Sequence, residues 1–118
     1  MSERYECDIP GYNTLFTSGG WKLAITNYKC PIEKDGKVKI SRHMTTDEAF
    51  VLLQGASCLH TYREENGTFI RTDTVMENGK VYLVRKAEWH ALDLQPGAKC
   101  LIAENEDTSN SEFAVTEA

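Results

Sequence analysis

The sequence predicts an all-β fold, an antiparallel sandwich or barrel of about eight strands. Three observations predict it. Short segments rich in Val, Ile, Thr and aromatic residues recur along the 118-residue chain, spaced by about ten residues. Turn dipeptides punctuate them, and no segment carries a helical repeat of apolar positions. Nothing recurs at a longer fixed period, which excludes propellers and solenoids.

Taken in order, Gly19-Gly20 leads into a strand over 21–28, and Asp35-Gly36 into one over 37–43. Strands over 48–54 and 57–63 flank Gly55, and Asn66-Gly67 joins the latter to a strand over 68–74. An Asn-Gly pair supplies the positive φ of a tight hairpin turn. Asn78-Gly79 precedes a strand over 80–84, another follows over 89–94, and Pro96-Gly97 opens the last, 99–104. Residues 1–20 read as an irregular segment that covers a sheet edge or reaches a partner subunit, and 21–104 as the barrel. Residues 105–118 read as an acidic, partly mobile tail, within which Phe113-Ala114-Val115 can add an edge strand.

The strand over 48–54 has a distinctive pattern. Glu48, Phe50 and Leu52 share one face; Ala49, Val51 and Leu53 share the other. A strand apolar on both faces is covered on both. The barrel interior covers one, and the expected cover for the other is a second copy of the chain, in a homodimer built sheet on sheet. Folding of the N-terminal segment over that face is the alternative.

Composition bounds the partners. A formal net charge of −5, with 13 basic residues scattered among 18 acidic ones, disfavours nucleic acid, which normally meets a basic face. No apolar run is long enough to span a membrane, and the polar N-terminus has no signal-peptide core, so a cytoplasmic protein is expected. Cys7, Cys30, Cys58 and Cys100 form no C-x-x-C pair; in that compartment they are expected to be free thiols.

Two stretches carry the chemistry. His43 precedes Glu48 by five residues, and His90 lies on a later strand. Two imidazoles and a carboxylate delivered from separate strands can grip a divalent metal while leaving coordination positions open. There is no Gly-rich phosphate loop, no G-x-S-x-G, and no Ser or Cys at a recognisable spacing from a His.

The same stretches resemble the two motifs of the cupin superfamily, small jelly-roll barrels whose motifs direct metal ligands inward. Ser41-x-His43, four residues, Glu48, six residues, Gly55 follows the first motif, with Ser41 in the place of its first His. Gly79, five residues, Arg85-Lys86-Ala87, two residues, His90, three residues, Leu94 follows the frame of the second. There Arg85 replaces a Pro, Ala87 a Gly and Leu94 an Asn. The resemblance implies a jelly-roll barrel with His43, Glu48 and His90 as ligands of Fe(II), Mn(II), Ni(II) or Zn(II). It also implies Glu48 and His90 as catalytic groups if the protein is an enzyme, as a metal-assisted isomerase, lyase or dioxygenase. The Trp89-His90 pair is similar to that of small cupins acting on ureido or sugar acids.

The residues add their own constraints. His90 shares a face with Leu92 and Leu94, which turns it toward the core. Glu48 lies on the inward face of its strand and needs a metal, a His or a cation to compensate its charge. His43 conflicts with its strand: Val38 and Ile40 have the opposite parity, so regular alternation sends His43 outward unless a bulge near Ser41 intervenes. His60 matches no motif position and reads as a surface residue. Arg85 and Lys86 are candidates to hold an anionic substrate at the barrel mouth. Phe50 and Trp89, with Tyr62 and Tyr82, line a pocket or fill the core.

The expected function is an interior metal site that acts on or binds a small polar molecule, of the anionic, sugar-acid or ureido-acid type. Two alternatives stand beside it. One is a metal-free isomerase or epimerase with a His as general acid/base; the other is a non-catalytic ligand-binding module.

Overall fold

The computed structural model describes residues 1–30 and 36–118, which form ten β-strands and no helix. They are β1 (Gly11–Ser18), β2 (Trp21–Asn27), β3 (Lys37–His43), β4 (Glu48–Gln54) and β5 (Ser57–Glu65). The remaining five are β6 (Thr68–Val75), β7 (Val81–Val84), β8 (Trp89–Leu94), β9 (Lys99–Asn105) and β10 (Ser111–Glu117). They build two five-stranded antiparallel sheets, ordered β1-β2-β9-β4-β7 and β10-β3-β8-β5-β6. The eight strands read from the sequence are all present, with two more outside them. Asp35 of the Asp35-Gly36 turn lies outside the described residues.

Of the two additional strands, β1 corrects the expected irregular N-terminus, and β10 is the edge strand expected at Phe113-Ala114-Val115, lengthened to Ser111–Glu117. Residues 11–18 are not irregular: β1 closes a hairpin with β2 through Gly19-Gly20. A register shift between Thr14 and Phe16 breaks its alternation, so the period of two does not show in the sequence. Likewise, β10 pairs with β3 along its whole length, from Ser111 opposite His43 to Glu117 opposite Lys37. As an edge strand it carries the polar residues that protect an edge, which makes it read as tail.

The main core lies between the sheets. Ala24, Phe50, Leu52, Cys100 and Ile102 project from the first sheet and meet Leu59, Leu92 and Leu94 of the second, with Val84 and Met76 alongside. A second apolar cluster, Ile40, Tyr62 and Trp89 with Val38, Phe69 and Ala114, has the opposite strand parity and covers the outer face of the second sheet. All four cysteines are free.

The second cluster resolves the conflict at His43. The β3–β10 register is unbroken, so no bulge turns His43 inward. Instead, the apolar parity of β3 faces the outer cluster, and Lys39, Ser41 and His43 face the cavity. Assigning the apolar side of a strand to the barrel interior fails where the sheet has a core on each face.

Two motif positions are structural. Gly55 has φ +78°, and a Cβ there would come within 2.7 Å of the Ala98 Cα, so the turn after β4 has no room for a side chain. Ala87, in the place of the second motif's Gly, keeps a left-handed φ of +67°. The Glu88 amide donates to the Arg85 carbonyl at 3.2 Å across this turn, and Asp47 Oδ1 accepts from the Lys86 amide at 2.8 Å. Left-handed backbone costs an L-residue about 1–2 kcal/mol, partly offset by the greater freedom of Gly in the unfolded chain. Ala87→Gly is therefore expected to stabilise the fold by about 0.5–1 kcal/mol, read as a raised urea midpoint. A lowered midpoint would show that the turn is not strained.

The outer face of the first sheet is open around β4 and β7. Leu53, Val81 and Leu83 are exposed there, while Ala49 and Val51 are half-buried. The N-terminal segment covers a different part of the sheet: Asn27 Nδ2 donates to the carbonyls of Cys7 and Ile9 at 3.0 and 2.9 Å, and Tyr5 packs on Phe16.

Candidate metal centre

Three strands from two sheets bring the ligand candidates together. Glu48 opens β4 on the inward parity of Phe50 and Leu52. His90 is the second residue of β8, opposite Ser41 of β3 on one side and Thr61 of β5 on the other. His43 ends β3, where its carbonyl accepts from the Ala87 amide at 2.7 Å and so ties the first motif to the second. Across the cavity, His90 Nε2 lies 2.8 Å from Glu48 Oε1 and His43 Nε2 lies 3.4 Å from Glu48 Oε2. The ligand atoms of the three residues all lie within 4.8 Å of one another.

The outer hydrogen bonds aim both imidazoles. His90 Nδ1–H donates to the Glu88 carbonyl at 3.0 Å, which leaves Nε2 facing Glu48. The Ser111 hydroxyl donates its proton to the Thr108 carbonyl, so its oxygen accepts from His43 Nδ1–H at 2.7 Å, and again Nε2 faces the cavity. The network places a proton on Nδ1 of each ring; Nε2 donates to Glu48 when the ring is protonated and presents a lone pair to a metal when it is not. Fixing Nδ1–H through a backbone or side-chain acceptor is how metal-bound histidines are held, and the donor set fits a divalent transition metal. Ser111 belongs to β10, which the sequence showed only as a possible edge strand.

A second carboxylate, unmarked by either motif, faces the first. Glu104 of β9 stands directly opposite Glu48 in the β4–β9 register and is buried. Its Oε1 accepts from the Tyr12 hydroxyl at 2.5 Å and lies 3.6 Å from Lys22 Nζ. Its Oε2 lies 3.6 Å from His43 Nε2 and has no hydrogen-bond partner among the described residues. Nothing in the sequence marks it, since it lies in Ala103-Glu104-Asn105-Glu106-Asp107, across the end of β9, where one acid among several does not stand out.

Electrostatics separates the two carboxylates. Burial would raise the Glu48 pKa, but hydrogen bonds from His43 and His90 outweigh it and hold the carboxyl well below its usual range. Glu104 lacks such imidazole compensation: burial, then the neighbouring Glu48 carboxylate, push it up to about 7. The bond to Glu48 raises the His43 pKa against the opposing effect of burial. Burial and then the bond to Glu104 raise that of Tyr12.

The site opens into a cavity of about 450 Å³. Phe50 lines it and packs edge-on to the His90 ring at 5.9 Å, as the sequence suggests. Three other expected binding residues do not line it. Trp89 has the parity opposite to His90 and is buried in the outer cluster beneath Arg42. Arg85 and Lys86 sit on the turn before β8, where the Arg85 side chain pairs with Asp47 at 3.4 Å and Lys86 is held by its backbone. Among the described residues, the cations that line the cavity are Lys22 and Lys39, on β2 and β3. His60 is on the outer face of the second sheet, between Asp73 at 2.7 Å and Asp93 at 3.5 Å.

No family model and no curated protein matches the chain. Solved structures do. A cupin-2 domain containing protein from Shewanella frigidimarina superposes with a TM-score of 0.58 at 16% identity, over 81% of this chain and 80% of that one. The Fe(II) form of HppE superposes with a TM-score of 0.59 at 18% identity, over 80% of this chain and 48% of its own. Oxalate oxidase gives a TM-score of 0.55 at 13% identity, over 80% and 45%. The chain thus spans about half the length of the latter two. The fold is a cupin fold, a jelly roll of ten strands.

Proposed function

We propose that this chain holds a divalent transition metal on His43, Glu48 and His90 and uses it to bind, and act on, a small anionic molecule in the cavity. The observation that carries the reading is the convergence of the three donors within 4.8 Å, with each imidazole turned by an Nδ1 hydrogen bond to present Nε2. Bound there, Fe(II), Mn(II), Ni(II) or Zn(II) would polarise a carbonyl or carboxylate oxygen or lower the pKa of bound water. The likeness to HppE, whose structures include Fe(II) and Co(II) forms, and to oxalate oxidase, solved in complex with glycolate, supports this class of ligand.

The chain's own residues supply the rest. The ammonium of Lys22, whose side chain is only 13% exposed, attracts the anionic end of a substrate, Phe50 forms an apolar wall, and β1 brings the Tyr12 hydroxyl into the cavity. A buried charge-assisted contact is worth about 1.5–3 kcal/mol. With glycolate as probe and metal-loaded protein, Lys22→Gln is expected to weaken binding by about tenfold or more in calorimetry. Arg85→Gln is expected to leave it within about twofold. Equal affinities for Lys22→Gln and the parent protein would remove Lys22 from the site.

A metal-free acid–base isomerase or epimerase is the second reading, and the observation favouring it is Glu104, poised near neutral pH. It requires turnover of a sugar-acid or ureido-acid substrate to survive EDTA treatment; the metal reading requires that turnover to stop. We further propose that the chain works as a cytoplasmic homodimer, its copies joined over the Ala49, Val51 and Leu83 face. That face is apolar and only partly covered. Sedimentation would find a dimer that dissociates in Val51→Lys, whereas a parent protein that runs as a monomer at micromolar concentration would reject it.

A further inference from the structure

Resting on the metal reading above, we infer that Glu104 is the fourth protein ligand and takes the place of the imidazole missing at Ser41. The two strands that carry Glu48 and Glu104 are directly paired, with these residues opposite each other and both side chains turned inward. The Glu104 side chain is only 4% exposed, and its Oε2 has no hydrogen-bond partner among the described residues and lies 3.6 Å from His43 Nε2. Glu48 Oε2 lies 3.4 Å from that same nitrogen. Donors that share a metal at about 2.0–2.2 Å stand roughly 3–4.4 Å apart, so Oε2 already lies at ligand separation from His43. An orphaned buried carboxylate oxygen is costly, and a cation is the partner that satisfies it at this point.

The other oxygen explains the orientation. Oε1 is held by the Tyr12 hydroxyl and approached by Lys22 Nζ, which fixes the carboxylate plane and leaves Oε2 as the free atom. Such an outer partner is the usual accompaniment of a ligating carboxylate. Charge balance agrees. Two neutral imidazoles and two carboxylates balance a dication, which leaves the ammonium groups of Lys22 and Lys39 at the cavity to attract an anionic ligand. The expected substrate is therefore an anion, such as a carboxylate, rather than a neutral sugar.

The test uses Co(II), whose visible absorption reports coordination, and Mn(II), titrated into apo protein. In the parent protein both bind; in Glu104→Gln, affinity is expected to fall by about 30-fold or more and the Co(II) spectrum to change. Ser41→His in the Glu104→Gln background is expected to recover at least part of the affinity, because it restores an imidazole opposite His90. A crystal structure of the Mn(II)-loaded parent needs no variant to fold, and should place Glu104 Oε2 at about 2.0–2.4 Å from the metal. A separation beyond about 3 Å, or an unchanged affinity and spectrum in Glu104→Gln, would overturn the inference and leave the His43, Glu48 and His90 site standing. Failure of the parent to bind either ion would overturn that site and this inference with it.

Discussion

Replacing His90 with alanine is expected to cost several hundredfold in affinity for Fe(II), Mn(II) or Zn(II). A four-ligand protein site binds zinc with about 10–16 kcal/mol, so one donor carries roughly 3–4 kcal/mol, which is two to three decades in Kd. His90 is the donor least able to be replaced. It lies at 5% exposure, is aimed by the Glu88 carbonyl, and is packed against Phe50, so no neighbouring group can swing into its place. The same change leaves Glu48 Oε1 without its 2.8 Å partner in a buried position. Metal-free His90→Ala should accordingly be less stable than the metal-free parent by about 2 kcal/mol in urea. Metal affinity by competitive titration and stability by urea unfolding read the two effects separately. Affinity within threefold of the parent would exclude His90 as a ligand.

Metal-free protein is expected to be most stable near pH 5 and to lose about 2 kcal/mol by pH 8. Glu104 titrates near 7 in the folded state against 4.5 as its ordinary value, so the folded chain holds a proton that the unfolded chain has released. The stability this proton confers is complete below 4.5 and is lost as pH rises through 7. The shift corresponds to about 3 kcal/mol, reduced to about 2 by solvent reaching an open cavity. His43, raised by its bond to Glu48, acts in the same direction above 6.5. Glu48 acts the other way at the acid end: its depressed pKa contributes stability above 4.5 that is lost as pH falls further. Metal must displace the Glu104 proton, so uptake should release protons between about pH 5 and 7, and saturating metal should reverse the slope. Urea unfolding of EDTA-treated protein at pH 5, 6.5 and 8 checks the sign. A midpoint that rises steadily from pH 5 to 8 would contradict it.

The strands of the barrel were legible in the sequence because local chemistry alone determines them. β3, β4 and β8 begin and end where the turn residues and alternation place them, and the Gly19-Gly20 and Asn66-Gly67 turns join hairpins. The terminal strands were hidden for separate reasons. β1 loses its period at a bulge, and β10 is a polar edge strand whose partner, β3, lies about seventy residues earlier in the chain.

The three ligand candidates were legible only through motif spacing. Residue-level alternation placed His90 and Glu48 inward but put His43 on the wrong side, since Val38 and Ile40 belong to a core outside the barrel. The same outer core claims Trp89, which the sequence offered to the pocket. Lys22, Ser111 and Glu104 could not be read in advance, because each reaches the site through a pairing between strands distant in sequence: β2 with β9, β3 with β10, and β4 with β9; Tyr12 arrives on β1, whose alternation a bulge hides. Arg85 and Lys86 were the reverse case, adjacent to the site in sequence but absent from the cavity lining, with Asp47 pairing the Arg85 side chain and holding the Lys86 amide.

Elemental analysis of protein purified without chelator or a metal-binding tag tests the central claim most directly. About one equivalent of a transition metal per chain is expected, removed by EDTA and restored by Fe(II), Mn(II), Ni(II) or Zn(II). Protein that arrives empty and takes up none of these ions would contradict it.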